Sequence, residues 1–417
     1  MSSRGVEIVV VGAGIAGCAA AIAAARENKK VVLIEKSDCI GGNATNSNVG
    51  TICGLYYRTF SETPEQVGYS FSKEFISKMI ARSETKAPIH YHKGLFIYSY
   101  EWSILQNILE EELKSNGIEV MRASEIIKIE RENRQIKGLV IKTKEETIEI
   151  KPQTIIDCSG NGIVSQLGNL EMISSGSYQS ASQIFRVENV LSANEFSLNM
   201  AVKKAMIQLV DLHKWPQSFK SLSLVPASLK NNHADFKITL PEKVTDNKEA
   251  NDALAAKAKA YVQEIFPPLS KMVESLKSAD IKTIFPQLGI RIQQRSRGKY
   301  ILSETDVLSC NKFADGVAEG AWPIEEWHED GKITMEYFEP DDAYMIPAGC
   351  LISDEMDNLY FAGKNISATT KAIGSARVMG TCLQTGYAAG KLATCSSAEE
   401  KETMIAVLRK ELLHSNE

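Results

Sequence analysis

The chain reads as an α/β protein, a parallel-sheet domain with an inserted β-meander joined to a second domain of α+β type. Three observations predict this. Residues 6–11 form a β-branched apolar run that enters Gly12-Ala13-Gly14-Ile15-Ala16-Gly17, and an alanine-rich segment to Asn28 and a second β-branched run at 31–34 follow. Strand, glycine turn, helix and strand in that order make a parallel βαβ unit. Alternating runs at 125–130, 138–143 and 147–150, joined by polar turns, read as an antiparallel meander. Residues 168–285 then change texture. They hold a strand candidate at 183–187, a helix at 254–266 that stops at Pro267-Pro268, and a polar run at 233–252 that reads as an exposed hairpin or excursion.

The chain has 417 residues, 44% of them hydrophobic, which is enough for a large core and points to about two or three domains. Its 47 basic and 52 acidic residues leave a net charge of −5, which argues against a nucleic-acid partner. No run reaches the roughly 18 apolar residues of a transmembrane segment. The first apolar run turns into glycines and not into a cleavage site, so it belongs to the fold. Eight cysteines form no CxxC pair and no metal-ligand spacing is present, so a reducing, cytoplasmic setting is expected and a metal is not.

Each part of the first unit has a physical job. Gly12 allows the tight turn, Gly14 lets the backbone approach a pyrophosphate, and Gly17 lets helix and strand pack closely. Ile15 and Ala16 open the helix and offer its unpaired amides to phosphate. Glu35 ends the second strand, where its carboxylate can accept bonds from a ribose diol. A Rossmann-like dinucleotide site follows, although this fingerprint alone leaves FAD and NAD open. Further along, 101–116 has a helical apolar pattern, and 154–157 returns as a buried strand ending at Asp157, with Ser159 and Gly160 in the loop beyond. Asp157 there is either a hydrogen-bonding organiser or a cap of the turn.

The segment Glu35-Lys36 to Gly41-Gly42-Asn43-Ala44-Thr45 resembles the early part of two-domain FAD-dependent oxidoreductases, and 154–162 resembles their "IDATGDG" loop. The block from Gly289-Ile290-Arg291 through Arg295 and Arg297 to Asp306 resembles the "GIR…R…G.Y.L…D" block of the FAD-dependent oxidoreductase family that is distantly related to succinate dehydrogenase and fumarate reductase flavoproteins. Trp322-Pro323-Ile324-Glu325-Glu326-Trp327-His328 is similar to its "YPIDIH" block. Residues 344–351 are similar to "Y.IPYRSL", with Ala348 and Gly349 in the places of tyrosine and arginine. The longest match runs from Asn358 through Gly363 to Arg377-Val378-Met379-Gly380-Thr381-Cys382, against "NL.VAGRNISA…GS.RVMGTC".

The resemblance implies FAD as cofactor and a flavin-binding domain of glutathione-reductase type. That domain would comprise 1–55, 99–167 and 286–417, with 56–98 and 168–285 as the substrate or cap domain. It implies cofactor contacts at Gly12, Gly14, Ile15, Ala16, Gly17, Glu35, Lys36, Gly41, Gly42, Asn43, Ala44, Thr45, Ile126, Ser159, Gly160, Gly363, Arg377, Met379, Gly380 and Thr381.

For chemistry at the flavin, Arg291, Gln293 and Arg295 would share one face if 289–294 is a strand, a row suited to a substrate carboxylate. The alternative is salt bridging between domains or plain solvent exposure. His328, and with less weight His90 and His92, could hold a proton near neutral pH or could simply lie on the surface. Cys53 could form an adduct or hold the flavin covalently, or be an ordinary buried thiol. The expected activity is hydride transfer between flavin N5 and a small organic substrate, one that can carry a carboxylate, with an unnamed electron donor or acceptor. The alternatives are a flavin monooxygenase or hydroxylase and a non-catalytic flavin-binding protein. A helix at 396–417 with apolar residues at 404, 407, 408 and 412 would pack on the nucleotide domain or on a second subunit in a homo-oligomer.

Overall fold

The computed structural model describes residues 3–192 and 194–414. Strand Ser3–Val11 lies between two parallel neighbours, Val31–Ile34 and Thr147–Asp157, and Glu119–Met121 extends the sheet beyond Val31–Ile34. Thr147–Asp157 carries two different partners on its far edge. Its first half pairs antiparallel with Gln135–Lys142, and its last three residues pair parallel with Leu359–Phe361. The meander and the parallel sheet are therefore one continuous surface, because this strand belongs to both. The runs at 147–150 and 154–157, read as separate strands, are one. The alternation of Ile148, Ile150 and Pro152 runs straight into Ile155 and Ile156, and the strand is in register with Ser3–Val11 from Glu149 onward.

Helix Ile15–Arg26 buries ten consecutive residues, Ile15 to Ala24. A helix apolar on every face needs neighbours on every side. Helix Met379–Leu392 supplies one, and small residues let the backbones touch: a Cβ added to Gly386 would lie 2.2 Å from the Ala16 carbonyl oxygen, and one on Gly390 would lie 2.3 Å from that of Ala20. Helix Trp102–Ser115 covers another side through Leu105, Ile108, Leu109 and Leu113. Helix Ser70–Arg82 puts Phe71, Phe75, Ile76 and Met79 in the same apolar cluster. The C-terminal helix, described from Ala398 to His414, buries Leu408 and Leu412 there too, and its expected last three residues lie outside the described ones.

A second cluster holds Phe185, Phe219, Phe236, Phe266 and Leu269. It lies in an antiparallel sheet ordered 223–224, 233–245, 177–188, 280–284, with helices Glu195–His213 and Lys248–Met272. Two expectations fail here. The run from 233 is not an exposed excursion: His233–Thr245 is a strand that buries Ala234, Phe236, Ile238 and Leu240 on one face. Nor does the following helix stop at Pro267-Pro268. It continues through both to Met272 because Ile265, Phe266 and Leu269 make one buried face whose packing outweighs the hydrogen bonds that the prolines delete. Among the described residues, no helix is long and apolar enough to cross a membrane.

The close approach of the two inner helices has a measurable consequence. Gly386→Ala forces a methyl against Ala16 backbone, so it should lower stability by about 1–3 kcal/mol. Gly5→Ala, where an added Cβ meets nothing within 4 Å, should leave the thermal midpoint almost unchanged. Equal midpoints for the two variants would show that the helices separate freely.

Candidate active site

The parallel strands stop level with one another. Val11 is in register with Ile34 and with Asp157, and Asp157 with Phe361. Open α/β sheets bind ligands outside such carboxyl ends. Gly12 turns the chain at φ +92°, in a space where a Cβ would lie 2.9 Å from the Cys158 carbonyl oxygen. A Cβ on Gly17 would sit 1.8 Å from the Gly12 oxygen, so this turn and helix tolerate no larger residue there. A Cβ on Gly14 would meet nothing within 4 Å. Beyond it, the amides of Ala16 and Gly17 find no acceptor among the described residues. The helix terminus thus presents free donors and a favourable dipole to an open space.

Glu35 is 5% exposed and receives the Ala13 amide at 2.7 Å and the Ser37 amide at 2.9 Å. It braces the glycine turn, and its carboxylate retains lone pairs for a further donor. Gly41 (φ +100°) bridges to Gly14 and donates its amide to the Ala13 oxygen at 2.7 Å, which lays the Gly41–Gly42 pair along the helix terminus. Thr45 closes this loop by donating to the Ile40 oxygen, and Tyr100 donates to the Ala44 oxygen at 2.7 Å.

On the opposite wall, Asp157 is fully buried. It accepts from the Ser159 amide and hydroxyl through one oxygen and from the Val164 amide through the other. It is therefore both organiser and cap, and burial raises its pKa despite those bonds. Gly363 sits where a Cβ would press on Ala16 at 2.7 Å. Next to it, the Lys364 ammonium donates to the Ile290 oxygen at 2.9 Å, and Asn43 donates to the same oxygen at 2.9 Å. Burial, reinforced by Lys36 and Arg377, pulls Lys364 down to about 8. The Gly380 amide donates to the Cys53 oxygen at 2.9 Å, with no room for a Cβ against Gly54. The neighbouring Thr381 hydroxyl and Arg377 Nε are buried without partners. Beside Lys36, an open cavity of about 400 Å³ is also lined by Ser37, Ala123 and Glu125. Ile126 itself is buried in the sheet core.

A polar cluster adjoins this crevice under the second sheet. Arg377 pairs with Glu325 at 3.0 Å, both side chains only 10% exposed. The Arg291 guanidinium lies over the Trp327 ring at 3.8 Å and donates to the Ser180 oxygen at 2.7 Å. The Lys237 ammonium lies over the same ring at 4.5 Å. Burial, then Arg291, pulls Lys237 down to about 8. Cys53 is nearby, its thiol pushed up to about 12 by burial and Glu325, so it stays protonated and is a poor nucleophile at neutral pH. Six buried side-chain atoms around the cluster lack any partner: Gln179 Oε1, Ser180 Oγ, Trp322 Nε1, Trp327 Nε1, Arg377 Nε and Thr381 Oγ1. Native interiors leave few such atoms unpaired, so their concentration calls for partners that the chain itself does not supply.

The structure does not assemble the arginine row. Residues 290–294 form no strand. Only Gly289 bridges, to Ser182, and the two arginines reach different partners, Arg291 the Ser180 oxygen and the Trp327 ring, Arg295 the segment 368–370. Arg295 is fully buried and spends its donors on the oxygens of Ala368, Gln293 and Thr370. Arg297 pairs with Glu171 near the surface. His328 is exposed at the turn of a hairpin, bonded to Thr334, and His90 and His92 are exposed with a register shift between them. Sequence reasoning missed Lys237, Gln179 and Lys364. The period-two alternation of Ala234, Phe236, Ile238 and Leu240 was the available signal for Lys237, since it puts Asp235, Lys237 and Thr239 on the other face.

Glycine turn, braced acidic residue, free helix amides and a second sheet closing over a polar cluster define a two-domain dinucleotide-dependent oxidoreductase. The chain belongs to the FAD dependent oxidoreductase family, whose profile matches residues 7–413, and its cofactor is FAD. The free amides and the open space at Gly14 fit that cofactor. A tRNA uridine 5-carboxymethylaminomethyl modification enzyme (MnmG) of Clostridium botulinum is 28% identical over 138 residues, 33% of this chain and 21% of that protein's length. In solved structures, the anhydrotetracycline hydroxylase OxyS of Streptomyces rimosus superposes with a TM-score of 0.50 at 11% identity, covering 97% of this chain and 66% of that one. A geranylgeranyl bacteriochlorophyll reductase-like protein of Thermoplasma acidophilum gives 0.47 at 14% identity, with coverage of 99% and 84%.

Lys364 yields a pH test on the cofactor-free protein. Its folded value, about 8, lies below the ordinary 10.5, so between the two the unfolded chain holds the extra proton and stability rises with pH. Lys364→Met should therefore raise the thermal midpoint most near pH 7, with the gain shrinking as pH climbs from about 8 to 10.5. A gain independent of pH would remove the buried charge as its cause.

Proposed function

We propose that the chain uses FAD to oxidise a small organic molecule held in the polar cluster beneath the second sheet, with hydroxylation by dioxygen as the leading reading: one oxygen atom enters the product and the other leaves as water, with two electrons from an external hydride donor. The observation that carries the substrate position is the set of six unpartnered buried polar atoms beside the Arg377–Thr381 turn. In this reading Gly12, Gly14, Ile15, Ala16 and Gly17 receive the diphosphate, and Glu35 receives the adenosine ribose. Gly41, Gly42, Asn43, Ala44, Thr45, Ser159, Gly160, Gly363, Met379, Gly380 and Thr381 surround the remainder, with Lys36 and Ile126 toward the adenine. Bound FAD supplies the redox chemistry, and the chain supplies position, charge and exclusion of water. The cap of this reading is 56–98 with 168–285, and the flavin-binding part is the rest. The separate apolar cluster around Phe185 and Phe236 supports the larger piece, and the 56–98 helix leans on the other core.

What supports hydroxylation is the fold shared with the anhydrotetracycline hydroxylase along 97% of this chain. Hydride transfer without oxygen is the second reading. Its support is the likeness of the 289–306 and 358–382 blocks to the family distantly related to succinate dehydrogenase flavoproteins.

The FAD-loaded protein should be offered a panel of small carboxylates, amines and unsaturated acids, with a chemical reductant and ¹⁸O₂. Hydroxylation predicts a product carrying one labelled oxygen. Anaerobic bleaching of the flavin by a panel member, with no reductant and no label incorporated in air, would replace it with hydride transfer.

A further inference from the structure

We propose that the substrate carries a carboxylate, seated between Lys237 and Arg291 beside Trp327, and that Lys237 is a specificity-determining residue for it. The inference rests on the substrate position proposed above and adds the charge of the substrate.

Charge balance is the first support. Three cations, Lys237, Arg291 and Arg377, meet in the cluster, and Glu325 is the carboxylate among them. Arg377 is matched by Glu325 at 3.0 Å. Arg291 bonds only neutral acceptors, the Ser180 oxygen at 2.7 Å and the Ser182 hydroxyl at 3.4 Å. The Lys237 ammonium has the Trp327 ring as its described contact. The other titratable neighbour, Cys53, is held as the neutral thiol. Two positive charges are therefore partly withdrawn from water with no ion pair of their own, Glu325 acting on them only at longer range. The ring offsets part of that cost, and removing an ion from water costs more than one aromatic face returns.

Donor count is the second support. The unpartnered Trp327 Nε1, Trp322 Nε1 and Arg377 Nε are all donors, on residues whose side chains are at least nine-tenths buried. Gln179 Oε1 is the one obligate acceptor among the orphans, and it belongs to an amide whose nitrogen already donates to the Glu325 oxygen. A site rich in N–H groups and cations, and poor in acceptors, suits a ligand that only accepts. A carboxylate does this with two oxygens and takes charge-assisted bonds from both cations. Position is the third. Arg291 is held by strand Ser177–Glu188 and Lys237 by strand His233–Thr245, neighbours in one sheet, so the two cations are fixed relative to each other by backbone pairing.

The test is calorimetric titration of the FAD-loaded protein with matched pairs, benzoate with benzamide and succinate with succinamide, alongside inorganic phosphate. At least one acid should bind, and its amide should bind about ten- to a hundredfold more weakly. Lys237→Gln should lower the acid's affinity by a similar factor without changing that of the amide, and Lys237→Arg should recover much of it. Wild-type selectivity alone decides the matter should the glutamine variant lose its flavin. Equal affinity for acid and amide, no binding by any acid, tighter binding of phosphate, or an unchanged Lys237→Gln variant would each overturn the carboxylate. None of these readouts involves turnover, so they fail separately from the labelled-oxygen experiment.

Discussion

Backbone-to-backbone contact between helices Ile15–Arg26 and Met379–Leu392 is the constraint on which the site depends. The first helix delivers its amino terminus to the crevice, and the second brings Gly380 and Thr381 to the other side. Gly386 and Gly390 remove the side chains that would hold the two apart. Alanine on the partner helix completes the fit, at the expense of side-chain area that larger residues would bury. The lost hydrophobic area is recovered by covering the helix on all sides. Gly363, pressed on Ala16, belongs to the same arrangement and sets Lys364 against Gly160.

Two polar regions with different electrostatic economies meet at Arg377. Toward the crevice, unpaired amides and a braced glutamate wait on a ligand that brings its own charge and hydroxyls. Toward the second sheet, side-chain cations crowd an indole ring. Arg377 and Glu325 neutralise one another where the two regions meet, which among the described residues leaves Lys237 and Arg291 without an ion pair toward the second sheet and Lys364 without one toward the crevice.

The nucleotide half was legible because its physics is local. Gly12, Gly14 and Gly17 are demanded by contacts within one turn, and Glu35 by the strand that follows, so spacing along the chain carries the information. Helix Trp102–Ser115 was legible for the same reason, from its 3.6-residue apolar stripe. The polar cluster was not. Lys237, Gln179, Arg291, Glu325 and Arg377 come from five separated stretches, and only the pairing of 177–188 with 233–245 brings the first two together. Arg295 shows the converse: its arginine-rich setting suggested a ligand, whereas its donors are consumed by carbonyls and a hydroxyl. Pro267 and Pro268 misled because a stop signal read from propensity yields to a buried face.

Strand Thr147–Asp157 has a consequence for how the molecule is made. The parallel partner of its upper edge, Leu359–Phe361, is about two hundred residues away in sequence. During synthesis that edge stays bare while the whole of the second sheet is being produced, and an unpaired edge is the surface on which chains join one another. The lower edge is spared, since Gln135–Lys142 precedes it and is already in place. The floor of the crevice is thus among the last parts to be completed, and a nascent chain has no finished flavin site until its carboxy-terminal quarter has emerged.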